Sequence, residues 1–196
     1  MRSKKRYFFA ADYKNRIIWL KGEICERSEQ DVLRALKRMN KTVGPICFYL
    51  SGPGGVFVSA ISIGNAVISS ANHILGIAHG EVASACFLLT QYFEVCAAIP
   101  GAKFTFHHAV CENTWEEEIT QGEACATLEF LRRTDAIQFL LFSRKAKDIN
   151  KVHNLFENQK TISARTARRL GLVDRYLSKS DFNIDKRKIR KLIKAR

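Results

Sequence analysis

Two apolar, β-rich runs constrain this chain most: Ile46-Cys47-Phe48-Tyr49-Leu50 and Ile74-Leu75-Gly76-Ile77-Ala78. Each leads to glycine and then to a segment of helical period. Strands without polar alternation need cover on both faces. Their alternation with helices implies βαβ units and a largely parallel sheet. The rest of the chain fits this α/β reading. Residues 16–24 ("RIIWLKGEI") form a strand, and Glu26–Met39 a helix with Val32, Leu33, Ala35, Leu36 and Met39 on one side. The strand at 46–50 is expected to break into the glycine turn Ser51-Gly52-Pro53-Gly54-Gly55. Helices are expected over 56–70, 84–92 and 122–147, the last carrying Leu128, Leu131, Ile137, Leu140 and Leu141. Two short strands surround Pro100-Gly101, a short helix over 163–170 has Ser163 as its N-cap, and "GLVDRYL" closes as a strand.

A chain of 196 residues with 46% apolar and 26% charged content forms one domain with a sizeable core. We take it as residues 1–183, followed by a basic tail, 184–196. The net charge is +13, of which Arg2, Lys4, Lys5 and Arg6 supply four and the tail a net six. The body is left with only +3. Basic termini can hold polyanions, but no aromatic residues interleave the tail's Lys/Arg cluster to stack on bases. Nucleic acid is therefore not expected as a partner. No apolar run reaches the ~18 residues of a membrane span, and the N-terminus lacks the apolar stretch of a secretory signal. A cytoplasmic protein is expected, with its six cysteines as thiols. No C-x-x-C pair and no Gly-x-x-x-x-Gly-Lys-(Ser/Thr) run is present, so neither metal nor cofactor is expected.

The chemistry-bearing residues stand at strand ends. Gly54 and Gly55 let backbone approach a ligand. Ser84, in "GEVASACFLL", follows Gly80 at a helix start, where the helix dipole favours developing negative charge. Ligands in open α/β sheets bind outside the carboxyl ends of strands, so Gly54, Gly55 and Ser84 can share one crevice. A serine nucleophile needs a base, and His107, at the end of "KFTF", is one of five histidines available. Spacing alone does not pair it with Ser84.

From about residue 16 to 177 the chain resembles the proteolytic subunit of the Clp protease, of the ClpP/crotonase superfamily. The resemblance rests on "LSGPGG", "GEVASACFLL", "PGAKFTFH" and "ISARTARRLGLVD", which occur in family order. It implies a ClpP/crotonase-like ββα superhelix with a mostly parallel sheet and a long protruding handle helix. The function implied is that of a serine endopeptidase, cleaving unfolded polypeptides in homo-oligomeric rings served by a separate AAA+ unfoldase. It implies Ser84 as nucleophile, His107 as general base, and Gly54 or Gly55 with Ala85 as the oxyanion hole. Gln159 occupies the slot of the triad acid, with Glu157 and Asn158 beside it. The departures are Gly52 for a serine, Ala85 for a methionine, Cys86 for a glycine, Gln159 for an aspartate, and "CENTWEEEI" for a glycine-rich strand. Gln159 favours one rival, a catalytically impaired paralogue acting as ring scaffold or regulatory subunit. A crotonase-like acyl-CoA enzyme is a further alternative, since that fold also holds an oxyanion with glycine-loop amides.

Overall fold

The computed structural model describes residues 7–111 and 120–177. The basic segments 2–6 and 184–196, the 183/184 boundary, and Trp115 with Glu116, Glu117 and Glu118 lie outside the described residues.

The elements run β1 (Tyr7–Asp12), β2 (Ile17–Ile24), α1 (Glu26–Met39), β3 (Ile46–Gly55), α2 (Phe57–Ile68), β4 (Ile74–Ala83), α3 (Ala85–Leu89), β5 (Val95–Ala98), β6 (Lys103–Thr105), α4 (Gln121–Ser143), α5 (Ile149–Glu157), β7 (Thr161–Ser163), α6 (Ala164–Arg169) and β8 (Arg175–Tyr176). The sheet order is β1-β2-β3-β4-β5-β8, and β6 branches from β4 to pair with β7. All pairings are parallel except β1 with β2 and β6 with β7. This is the expected α/β sheet. Its two faces follow from the period of two along each strand. Ile46, Phe48 and Leu50 of β3 enter the main core beneath α1, α2 and α3. Cys47 and Tyr49 join Leu75, Ile77, Val95 and Ala97 in a smaller cluster on the opposite face.

Three boundaries differ from expectation in ways that shape the site. β3 does not stop at Leu50. It continues through the glycines, with Gly52 opposite Val82, Gly54 opposite Glu23 and Gly55 opposite Ile24, and accommodates them by register shifts. The helix over 84–92 splits into α3 and a 3₁₀ turn, Thr90–Tyr92, with Ser84 as N-cap. The long helix is shorter than 122–147. A capping box starts it at Thr120, whose hydroxyl accepts from Glu123 N at 3.2 Å while Thr120 N donates to Glu123 Oε2 at 2.8 Å. Its N-terminal half stands clear of the body. Of its apolar positions, Leu128, Ile137 and Leu140 are exposed along with Phe130. Thr134, Gln138, Leu141 and Phe142 are the residues it buries.

β1, α5 and β7 were not foreseen. β7 is a three-residue antiparallel partner of β6, and α5 delivers the chain to it. Together they surround the end of β6.

Candidate active site

Ser84 sits at the corner between β4 and α3 with φ +51° and ψ −128°. A non-glycine residue held at positive φ costs about 1–3 kcal/mol unless its surroundings enforce it, and here they do. Ser84 N donates to Thr105 O at 3.1 Å, and Leu88 N donates to Ser84 O at 2.9 Å. Ala83, Ala85 and Cys86 on either side are buried, while the serine itself keeps partial exposure. A sharp strand-to-helix corner of this kind pushes a hydroxyl out of the sheet.

The glycine stretch of β3 presses against this corner. Gly54 has φ +109°, and a Cβ there would lie 2.8 Å from Ser84 Cβ, 2.9 Å from Ala83 O and 3.0 Å from Ala85 N. Only a glycine lets the two backbones approach so closely. Gly55 lies along Ile24 of β2 in the same stretch. The backbone N–H of Ala85 belongs to the first turn of α3, where amides lack intrahelical acceptors. Gly52 is equally constrained. A Cβ on it would fall 2.0 Å from Gly22 O, so the path of β2 leaves no room for a side chain.

His107 follows β6, the strand that pairs with the end of β4. β6 runs parallel to β4 with Thr105 opposite Ala83. Both strands end at that pair, β4 at Ala83 and β6 at Thr105, and His107 lies two residues past the end of β6. Phe104 and Phe106 alternate into the core, where Phe106 packs against Phe87 at 5.0 Å and Phe142 at 5.1 Å. His107 itself is half-buried. No hydrogen bond joins Ser84 and His107 among the described residues. Such bonds are often loose in a free enzyme and tighten with substrate.

Gln159, expected in the acid slot, lies on the loop after α5. Phe106 N donates to Lys160 O at 3.1 Å, which lays residues 159–160 alongside the approach to His107. Gln159 has φ +47° and ends α5 in a Schellman cap: Gln159 N donates to Phe156 O and Lys160 N to Leu155 O, both at 2.9 Å. Its side chain is exposed. The flanking candidates face elsewhere. Asn158 Nδ2 donates to Asn154 O at 2.8 Å, and Glu157 Oε1 lies 3.8 Å from His153 Nε2 on the outer side of α5.

Cys86 does not compete with Ser84. It is fully buried, and burial pushes its thiol well above the usual range, far from the reactive thiolate. A contact that sequence reasoning missed lies one residue beyond His107. His108 Nδ1 is 3.0 Å from Asp135 Oδ2, and Ala109 N donates to Asp135 Oδ1 at 2.7 Å. The two partners are 27 residues apart, and only the adjacency of a second histidine hinted at it. A separate cleft of about 710 Å³, lined by Lys145, Lys147, Arg165, Arg168, Arg169 and Asp174 among others, contains none of the candidate residues.

A family model, Clp protease, matches residues 3–180. The chain belongs to the Clp protease family. It is similar to ATP-dependent Clp protease proteolytic subunit 4 of Streptomyces avermitilis, 26% identical over 89% of this chain and 78% of that protein. Proteolytic subunit 2 of Streptomyces coelicolor is 24% identical over 87% of this chain and 79% of its own. A proteolytic subunit 1 of Tropheryma whipplei is 23% identical over 84% and 81% respectively. It is thus a divergent member of the family of Clp proteolytic subunits. The mostly parallel sheet, with helices packed on it, agrees with that fold. No helix among the described residues is long and apolar enough to cross a membrane.

Proposed function

We propose that this chain is an active serine endopeptidase. Ser84 is the nucleophile, His107 the general base, and the amides of Ala85 and of Gly54 or Gly55 hold the oxyanion. The observation that carries the reading is the Ser84 corner: positive φ, backbone bonded to the strand that leads to His107, and Gly54 packed directly against it. A serine with no role beyond filling space has no need of that conformation.

The chemistry follows from the placement. His107 takes the Ser84 hydroxyl proton as the oxygen attacks a peptide carbonyl. The tetrahedral oxyanion is met by backbone N–H groups, each worth about 10²–10³ in rate. Collapse expels the amine, which takes the proton back from the imidazolium and leaves an acyl-serine for water to hydrolyse. Gln159 can accept a hydrogen bond from the imidazole and fix its tautomer. It cannot balance the imidazolium charge, and an aspartate-to-amide change in such a triad costs about 10⁴. The peptidase is therefore slow. Substrates are unfolded polypeptides, delivered by an AAA+ unfoldase into a homo-oligomeric chamber in the cytoplasm. The exposed apolar residues Leu128, Phe130, Ile137 and Leu140 on α4 supply a surface for ring stacking.

The alternative of an impaired ring scaffold is favoured by one observation: the acid slot serves as a helix cap with its side chain in solvent. A fluorophosphonate probe separates the two. Intact-mass analysis should find one adduct on the wild-type chain and none on Ser84→Ala. A folded wild-type sample that takes no adduct removes the peptidase reading.

A further inference from the structure

His107 stands between two anchors from different helices. On one side Phe106 N donates to Lys160 O at 3.1 Å, tying the chain to the loop after α5. On the other, Asp135 of α4 accepts from Ala109 N at 2.7 Å and pairs with His108 Nδ1 at 3.0 Å. β6 ends at Thr105, and residues 107–109 make no backbone–backbone hydrogen bond among the described residues. Among the described residues, the carboxylate of Asp135 holds the chain just beyond His107. Asp135 is itself held, since Gln138 Nε2 donates to its Oδ1 at 3.1 Å. The His108 ring is seated edge-on against Phe156, with centroids 4.7 Å apart. A carboxylate only accepts, so His108 Nδ1 carries the hydrogen whether the ring is neutral or charged.

We propose that Asp135 is the positioning residue for His107, acting through the Ala109 amide and the His108 ring. It touches neither the reacting atoms nor His107. It holds the backbone that aims the base, in a protein whose acid slot offers only a neutral amide. The role rests on the reading of Ser84 and His107 as the catalytic pair. Its physical content is distance: displacing a catalytic group by about 1 Å can cost about 10²-fold in rate.

Asp135→Ala should slow fluorophosphonate labelling of Ser84 by about 10–100-fold, lowering kcat with KM unchanged. Asp135→Asn should restore the rate to within about threefold. Its Oδ1 still accepts from Ala109 N, and its amide can donate to His108 in the other tautomer. In a Gln159→Asp background, where a carboxylate can hold the imidazole directly, the Asp135→Ala loss should shrink. A role in stability alone would move the melting temperature and leave the labelling rate of folded protein and the Asn rescue unmoved. Asp135→Ala labelling as fast as wild type overturns the proposal, and so does Asp135→Asn as slow as Asp135→Ala. Hydrogen–deuterium exchange over residues 104–111 reads the anchor without activity. Asp135→Ala should speed exchange there by about tenfold or more, and Asp135→Asn should not. Unchanged exchange overturns the anchor even if Ser84 proves inert. Faster exchange with no label on wild type leaves the anchor standing and removes only the peptidase reading.

Discussion

The two ends of the candidate triad are built to different standards. At the nucleophile corner every neighbour is constrained: Gly54 because a Cβ would strike Ser84 and Ala83, Ala83, Ala85 and Cys86 because they are buried, Ser84 because its backbone is bonded to Thr105. At the acid corner, nine-residue α5 ends at an exposed Gln159 whose backbone caps the helix. The corner proposed to hold the oxyanion is part of the core, so changing it unfolds something. The corner proposed to tune the base is a surface cap, and any residue tolerating positive φ satisfies it. On the proposed reading, a carboxylate at this position can be exchanged for an amide at little cost to the fold.

The contrast is broken most directly at Gly54. In Gly54→Ala the new Cβ meets Ser84 Cβ at 2.8 Å and backbone at 2.9 and 3.0 Å, with φ +109° unsuited to alanine. We expect a stability loss of about 3 kcal/mol and a fall of about 10²–10³ in Ser84 labelling. Chemical denaturation and labelling kinetics on the folded fraction measure the two. If Gly54→Ala labels and folds like wild type, the nucleophile corner is not the tight assembly described.

The acid corner should respond in the opposite sense. Aspartate tolerates positive φ at least as well as glutamine, so Gln159→Asp should fold normally. Supplying a charge for the imidazolium should raise kcat by about 10²-fold, within the roughly 10⁴ that separates aspartate from amide in a serine triad. Peptide hydrolysis with a fluorogenic substrate checks it. No gain would mean that position 159 does not reach the base, and that the register argument through Phe106 and Lys160 fails.

What the sequence made legible follows the same division. α1 lies over Glu26–Met39 as read, because its apolar stripe has a single face. The mostly parallel sheet and the Ser84 corner were legible because buried strands and small residues at a tight approach leave a local trace. β3 was expected to end at Leu50, since glycines usually break strands. It continues because the register shifts let Gly52, Gly54 and Gly55 pair with neighbouring strands. α4 occupies most of the stretch read as the long helix, but its buried face left no local trace. It carries apolar residues all round, and only the packing decides that Thr134 and Gln138 go in while Leu128 and Leu140 stay out. The Asp135–His108 contact depends on a helix returning across the end of β6, which no local pattern encodes.

The smallest effect makes the finest distinction. Gln159→Gly keeps the Schellman cap and removes the side chain. Holding a non-glycine residue near φ +47° costs about 1–2 kcal/mol, against roughly 0.5–1 kcal/mol for glycine's greater freedom when unfolded. The variant should gain about 0.5–1 kcal/mol, or about 1–4 °C in thermal midpoint for a chain of this size. Its labelling rate should nonetheless fall about tenfold, because the amide that fixes the imidazole tautomer is gone. Stability rising while activity falls would show position 159 doing two separable jobs, cap and orienter. Stability rising with an unchanged rate would reduce it to a cap, and His107 would then owe its orientation to the anchors on its own backbone.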